Sequence, residues 1–186
     1  EGSGVLVERS IPGTEHRLLV VGRKLVAANQ RGNSFQVVFW DLTQPEQPPT
    51  RFVERGTSTG LSISPDGRWV SVSSEDGIAA LYDATSLKRR HELAGSMQAV
   101  FGVAFSPDSL SLATGAGGRD AIKLWNVETG QELLTLPGTG SLLGDIAFAE
   151  DGNTLLLGRI RIQGSWQMWR APSWEVIATA EAKNTN

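Results

Sequence analysis

A chain of 186 residues with 40 % apolar and 20 % charged side chains has the length and composition of one globular domain with room for a real core. Its net charge of -3 offers no attraction to nucleic acid or to an anionic membrane surface, and the absence of Cys removes disulfides and thiolate metal sites. No apolar run reaches the length of a membrane span and no signal peptide is visible. Neither membrane nor nucleic acid is therefore expected as a partner, and the compartment expected is the cytoplasm.

The chain opens on Glu1-Gly2-Ser3-Gly4, which reads as a cloning scar or a cut site. Val5, Leu6 and Val7 follow, in a segment (4–10) that precedes the first repeating unit. Leu6 to Ile11 with Pro12-Gly13-Thr14 matches Gln131 to Leu136 with Pro137-Gly138-Thr139 further on. By position it is the outer strand of a unit whose other strands are not beside it in sequence. Unit one (17–55) then predicts strands at 17–21, 24–29, 36–41 and 50–54, with Gly22-Arg23 as its first turn. Unit two (58–95) predicts strands at 61–63, 69–73, 78–83 and 88–93. Unit three (98–138) predicts 100–106, 110–115, 121–127 and 131–136, divided by Pro107-Asp108, Gly115-Ala116-Gly117-Gly118 and Glu128-Thr129-Gly130. Unit four (141–182) predicts 143–148, 154–160 and 165–170. Its tail is open to two readings: Ser173 is a fair N-cap for a short helix, and 174–179 also reads as a strand.

Two markers keep one period across these units. An aromatic residue followed by a polar one recurs as Trp40-Asp41, Tyr82-Asp83, Trp125-Asn126 and Trp169-Arg170, at spacings of 42, 43 and 44. Ser64-Pro65-Asp66-Gly67, Ser106-Pro107-Asp108-Ser109 and Ala149-Glu150-Asp151-Gly152 place their aspartates 42 and 43 apart. A fixed period near this length indicates a repeat architecture. The third strand of each unit carries large apolar groups on both faces: Phe39, Leu81, Leu124 and Met168 on one, Trp40, Tyr82, Trp125 and Trp169 on the other. Such a sheet must be covered on both sides, and stacking unit on unit does that.

Phe105-Ser106-Pro107-Asp108, Leu112-Ala113-Thr114-Gly115 and Asp120-Ala121-Ile122-Lys123-Leu124-Trp125-Asn126 together resemble one blade of the WD40 family of β-propellers, and the resemblance extends over almost the whole chain. It implies an all-β fold of four-stranded antiparallel blades, four per chain, and since one such fold hosts many jobs it speaks for the fold rather than the function. The chain departs from the family where Gly95-Ser96 and Gly138-Thr139 stand in place of Gly-His, and where Asn33 and Gly164 replace the turn acid kept as Asp76 and Asp120. The family's buried polar network is thus expected only in part. Trp169-Arg170-Ala171-Pro172-Ser173-Trp174-Glu175 resembles the end of large bacterial WD40 proteins, some of which carry a serine/threonine kinase domain.

Four blades leave the outer faces of the first and last exposed, and three closures follow. Two chains join head to tail into an eight-bladed ring, one chain closes on itself, or the missing blades come from elsewhere. The homodimer is the expectation, with Val5, Leu6, Val7, Trp166, Trp169 and Trp174 as its interface.

The chain carries no catalytic signature. His16 and His91 are its two histidines, at non-equivalent positions, and both read as solvated. Asp66, Asp108 and Asp151 recur as turn formers, and pairs such as Glu75-Asp76 and Glu150-Asp151 lack the converging oxygens a metal needs. Lys88-Arg89-Arg90 reads as a charged, aggregation-resistant edge, and Arg159-Ile160-Arg161-Ile162 as a half-solvated strand. No catalytic residue, cofactor or metal is predicted. The function expected is a non-enzymatic scaffold that self-associates. The alternative is a regulatory or sensing fragment of a larger bacterial signalling protein such as a kinase.

Overall fold

The computed structural model describes residues 16–21, 24–31, 33–96, 98–117, 122–137, 143–159 and 166–172. Fifteen strands form four antiparallel sheets, each a meander in sequence order. Blade one holds β1 (His16–Val21), β2 (Lys24–Arg31), β3 (Ser34–Asp41) and β4 (Thr50–Arg55). Blade two holds β5 (Ser58–Ile63), β6 (Trp69–Ser74), β7 (Ala79–Asp83) and β8 (Arg89–Leu93). Blade three holds β9 (Val100–Phe105), β10 (Ser111–Ala116), β11 (Ile122–Asn126) and β12 (Glu132–Leu136). Blade four shows three strands among the described residues: β13 (Leu143–Phe148), β14 (Thr154–Arg159) and β15 (Trp166–Arg170). The expected outer segment at 4–10 and the helix-or-strand tail after Ser173 lie outside the described residues.

The turns explain why the meander repeats. Ser64 donates from Oγ to Asp66 Oδ1 at 2.5 Å, the same carboxylate oxygen accepts the Arg68 amide at 3.0 Å, and Trp69 N donates back to Ser64 Oγ at 2.9 Å. Ser106, Asp108, Leu110 and Ser111 repeat the arrangement at 2.6, 3.0 and 2.9 Å. In blade four Ala149 has no hydroxyl, so Asp151 alone caps the turn through the amides of Asn153 and Thr154. Gly67 and Gly152 supply the left-handed residue at φ 69° and 68°, and Ser109 takes the same conformation at 64°. These aspartates are turn formers, as their spacing implies.

Blades stack in a line. First strands touch in the order β1, β5, β9, β13, and no comparable contact returns from β13 to β1 among the described residues. Three cores fill the three seams. Val26, Phe35, Val37 and Phe39 meet Val70, Val72, Ala80 and Tyr82 between blades one and two. Trp69, Leu81 and Leu93 meet Val103, Leu112 and Trp125 between blades two and three. Ala113 and Ile122 meet Ile146, Leu155 and Leu157 between blades three and four. Full burial of a side chain of this size is worth about 1.5–3 kcal/mol. The fold is therefore held mainly across the seams.

Trp125 Nε1 donates to Thr114 Oγ1 at 3.0 Å inside blade three. Asp76 accepts from its own neighbour, Ser74 Oγ. Asp120 and Gly164 lie outside the described residues.

Candidate functional site

The two faces read from the third strands are the two sides of each seam. Tyr82, Trp125 and Trp169 pack backward onto the preceding blade. Phe39, Leu81 and Leu124 pack forward onto the following one. Their polar companions close the next turn. Asp41 Oδ1 accepts from Thr43 N and Oγ1 at 2.9 and 2.6 Å. Asp83 Oδ1 accepts from Thr85 N at 3.0 Å and from Ser86 N at 2.7 Å, and Asn126 Oδ1 from Thr129 N at 2.9 Å. The hydrogen bonds with Ser86 hold the Asp83 carboxyl below its ordinary value. The marker residues thus build the sheet rather than a binding site.

Blade four breaks the pattern on its forward side. Phe39 is 6 % exposed and Leu81 0 %, but Met168, their equivalent, is 65 % exposed. Register puts Ala147 opposite Leu156 and Leu156 opposite Met168, so the three form one cross-strand row. All three are exposed, whereas the matching row of blade three, Ala104, Ala113 and Leu124, packs into the last core. At the other end of the arc, Trp40 on the backward face of blade one is half-buried, and Val20 and Val53 are exposed. Leu25, Ala27 and Val38 between them are buried.

Of the other residues singled out in the sequence, Trp169 packs into the third seam. Trp166 lies in β15, and Val5, Leu6, Val7 and Trp174 fall outside the described residues, as does Arg161. His91 is only partly solvated. It is half-buried, with Nε2 2.9 Å from the Glu128 carbonyl oxygen of blade three. Sequence reasoning missed this because the two lie 37 residues apart and only blade stacking brings them together. Lys123 was also unremarked: it is 7 % exposed, with Nζ 2.8 Å from Glu132 Oε2 and 2.9 Å from Thr135 Oγ1.

A cleft of about 270 Å³ opens between blades one and two beside Trp40, Lys24 and Asp41. Lys24 Nζ donates to the Gly67 carbonyl at 3.0 Å and Asp41 is engaged by Thr43, so both charges serve turns. Among the described residues no three His, Cys, Asp or Glu side chains converge as a metal would require. No helix of the described residues is long and apolar enough to cross a membrane.

Stacked four-stranded meanders with buried forward and backward faces define a β-propeller protein. The family model described as WD domain, G-beta repeat, matches residues 52–83 and 87–126, so the chain carries WD40 repeats there. An uncharacterized WD repeat-containing protein of Synechocystis is 26 % identical over 125 residues, covering 67 % of this chain and 36 % of that protein. Human apoptotic protease-activating factor 1 is 30 % identical over 157 residues, covering 80 % of this chain and 12 % of that protein. The Caenorhabditis elegans small ribosomal subunit protein RACK1 is 27 % identical over 132 residues, covering 66 % and 40 %. The chain thus spans well under half the length of these relatives. A chain in the crystal structure of the mitotic checkpoint complex superposes with a TM-score of 0.69 at 20 % identity, over 84 % of this chain and 49 % of that one. Proteins of this repeat family generally serve as interaction scaffolds.

Proposed function

We propose that this chain is a non-enzymatic protein-interaction scaffold that works as half a propeller, two copies joining head to tail into an eight-bladed ring. The observation that carries the reading is Met168, 65 % exposed where its equivalents Phe39 and Leu81 are 6 % and 0 % exposed. A blade face built like the others, and left without a neighbour, is an interaction surface. Head-to-tail joining pairs the forward face of blade four with the exposed margin of the backward face of blade one, where Val20 and Val53 flank the buried Leu25, Ala27 and Val38, and two such contacts close a two-fold ring. In this reading the segment 4–10 with Val5, Leu6 and Val7 would complete the partner's last blade as its outer strand. The finished ring presents its loops and central channel to a further protein.

Light scattering on the purified chain tests this. A mass near twice 20.0 kDa is expected, and a monodisperse particle of 20.0 kDa at every concentration overturns it. The second reading is a regulatory fragment of a longer bacterial signalling protein such as a kinase, whose remaining blades close the ring. The shares of 36 %, 12 % and 40 % of the relatives' lengths favour it.

A further inference from the structure

One position on the innermost strands decides how closely two blades approach. Gly60 on β5 lies opposite Ser73, and Gly102 on β9 opposite Gly115. Neither has a left-handed φ, so neither is glycine for the sake of its own backbone. Each is glycine for space. A Cβ on Gly60 would stand 2.5 Å from Ser73 Oγ of its own blade, and 2.9 Å from the Phe101 carbonyl oxygen and 3.3 Å from Val103 Cγ2 of the next. A Cβ on Gly102 would meet the Gly144 carbonyl oxygen and stand 2.9 Å from Ile146 Cγ2. These two empty slots let β9 settle against β5 and β13 against β9.

The equivalent position on β13 is Asp145. The register shift between Leu143 and Ile146 places one extra residue in β13, as the shift between Ser58 and Gly60 does in β5. Ile146 packs backward into the third seam, so alternation puts Asp145 forward, on the face of exposed Ala147. Asp145 is itself exposed. The series reads Arg17, Gly60, Gly102, Asp145, at spacings of 43, 42 and 43. Where Arg17 holds the position, β1 and β5 meet less extensively than the inner strands of the later seams.

We infer that Asp145 makes the joint between two copies looser than the two glycine-slotted joints within one, by denying a second copy's β1 the close approach that Gly60 and Gly102 allow. This rests on the head-to-tail reading above. In both closed seams the oxygen entering the slot comes from the residue two before the next blade's backward apolar one: Phe101 before Val103, Gly144 before Ile146. In a second copy that position is His16, before Leu18, which register aligns with Ala27 and Val38 on the backward face. A carboxylate and a carbonyl oxygen are both acceptors and form no hydrogen bond with each other. The inner end of the joint stays open, and the row of Leu156 and Met168 carries the contact. The two copies therefore part and rejoin, while blades two to four stay fixed.

The test is a dilution series followed by light scattering and sedimentation on wild type, D145G, D145A and M168E, with far-UV circular dichroism to check folding. D145G is expected to lower the dimer Kd by about ten-fold or more. D145A, which keeps a Cβ in the slot, is expected to stay within about three-fold of wild type. M168E, on an exposed position, is expected to give a folded 20.0 kDa particle. If D145G leaves the Kd of a wild-type dimer unchanged, or D145A tightens it as much as D145G, the slot account falls and the dimer stands. If wild type and D145G are both single at every concentration, the head-to-tail reading falls with it.

Discussion

His91 on the outer strand of blade two reaches across a seam to Glu128, its Nε2 2.9 Å from the carbonyl oxygen in the turn after β11. The ring also lies over Gly130: a Cβ there would stand 2.7 Å from His91 Cγ. Gly130 has φ 70°, in the left-handed region, so Gly130→Ala meets both a steric and a dihedral penalty. The dihedral part is about 1–2 kcal/mol, and loss of the His91 hydrogen bond in His91→Ala costs about 1 kcal/mol. Urea unfolding of the two single variants and the double variant separates them. Gly130→Ala is expected to cost less in the His91→Ala background, because the clash with the ring goes while the 3.1 Å contact with the residue 91 Cβ and the dihedral cost remain. Additive losses would show that the ring does not clasp the turn.

Lys123 and Glu132 make a second strong polar joint, inside blade three. The lysine side chain is 9 % exposed and the glutamate 38 %. The Lys123 ammonium beside Glu132, and then Thr135, hold that carboxyl below its ordinary value. Removing the carboxylate strands a buried cation, whereas removing the cation leaves a carboxylate that can turn to water. Glu132→Ala is therefore expected to destabilise by about 1–3 kcal/mol, and Lys123→Met by less. Chemical denaturation of both checks the order. A larger loss from Lys123→Met would mean that the ammonium serves something besides Glu132 and Thr135.

Stability should fall in acid for a reason visible in the turns. Hydrogen bonds with Ser86 lower Asp83, and those from Ser106 and the Leu110 amide lower Asp108, both from an ordinary value of 3.8. A carboxyl lowered on folding contributes stability that is whole above its unfolded value and is lost as pH falls through its folded value. Their contribution to the urea midpoint should therefore be flat between pH 7 and about 5 and decline below about 4. The paired variants Asp83→Asn and Asp108→Asn are expected to make that decline shallower. An unchanged acid slope in the paired variant would place the proton uptake elsewhere.

Much of this fold was legible in the sequence because its signals are local. Alternation and turn chemistry place β6 at Trp69–Ser74 where 69–73 was expected, and β13 at Leu143–Phe148 as expected. The two faces were legible as well, since Leu81 and Tyr82 are adjacent residues pointing opposite ways. What was not legible depends on blade-to-blade distance. His91 looks solvated until β8 lies beside the turn at Glu128. Gly60, Gly102 and Asp145 look like ordinary strand residues until the bulges fix which way each points. Lys123 carries no signal of its own in the sequence, because Glu132 and Thr135 meet it only when β12 pairs with β11.

Two glycines separate the steric cause from the dihedral one. Gly60 has no left-handed φ, and a Cβ there would stand 2.5 Å from Ser73 Oγ and 2.9 Å from the Phe101 carbonyl oxygen. Gly67 has φ 69° and nothing within 4 Å of its missing Cβ. Gly60→Ala is expected to cost about 1–3 kcal/mol through overpacking, because the backbone oxygen cannot move without disturbing β9. Gly67→Ala is expected to cost about 1 kcal/mol through its dihedral alone. Asparagine distinguishes them, since it tolerates the left-handed region but is larger. Gly67→Asn should recover stability relative to Gly67→Ala, whereas Gly60→Asn should lose more than Gly60→Ala. Thermal unfolding of the four variants reads the order. Recovery by asparagine at Gly60 would mean that the slot between the inner strands has room, and that the glycine there serves the chain's own backbone.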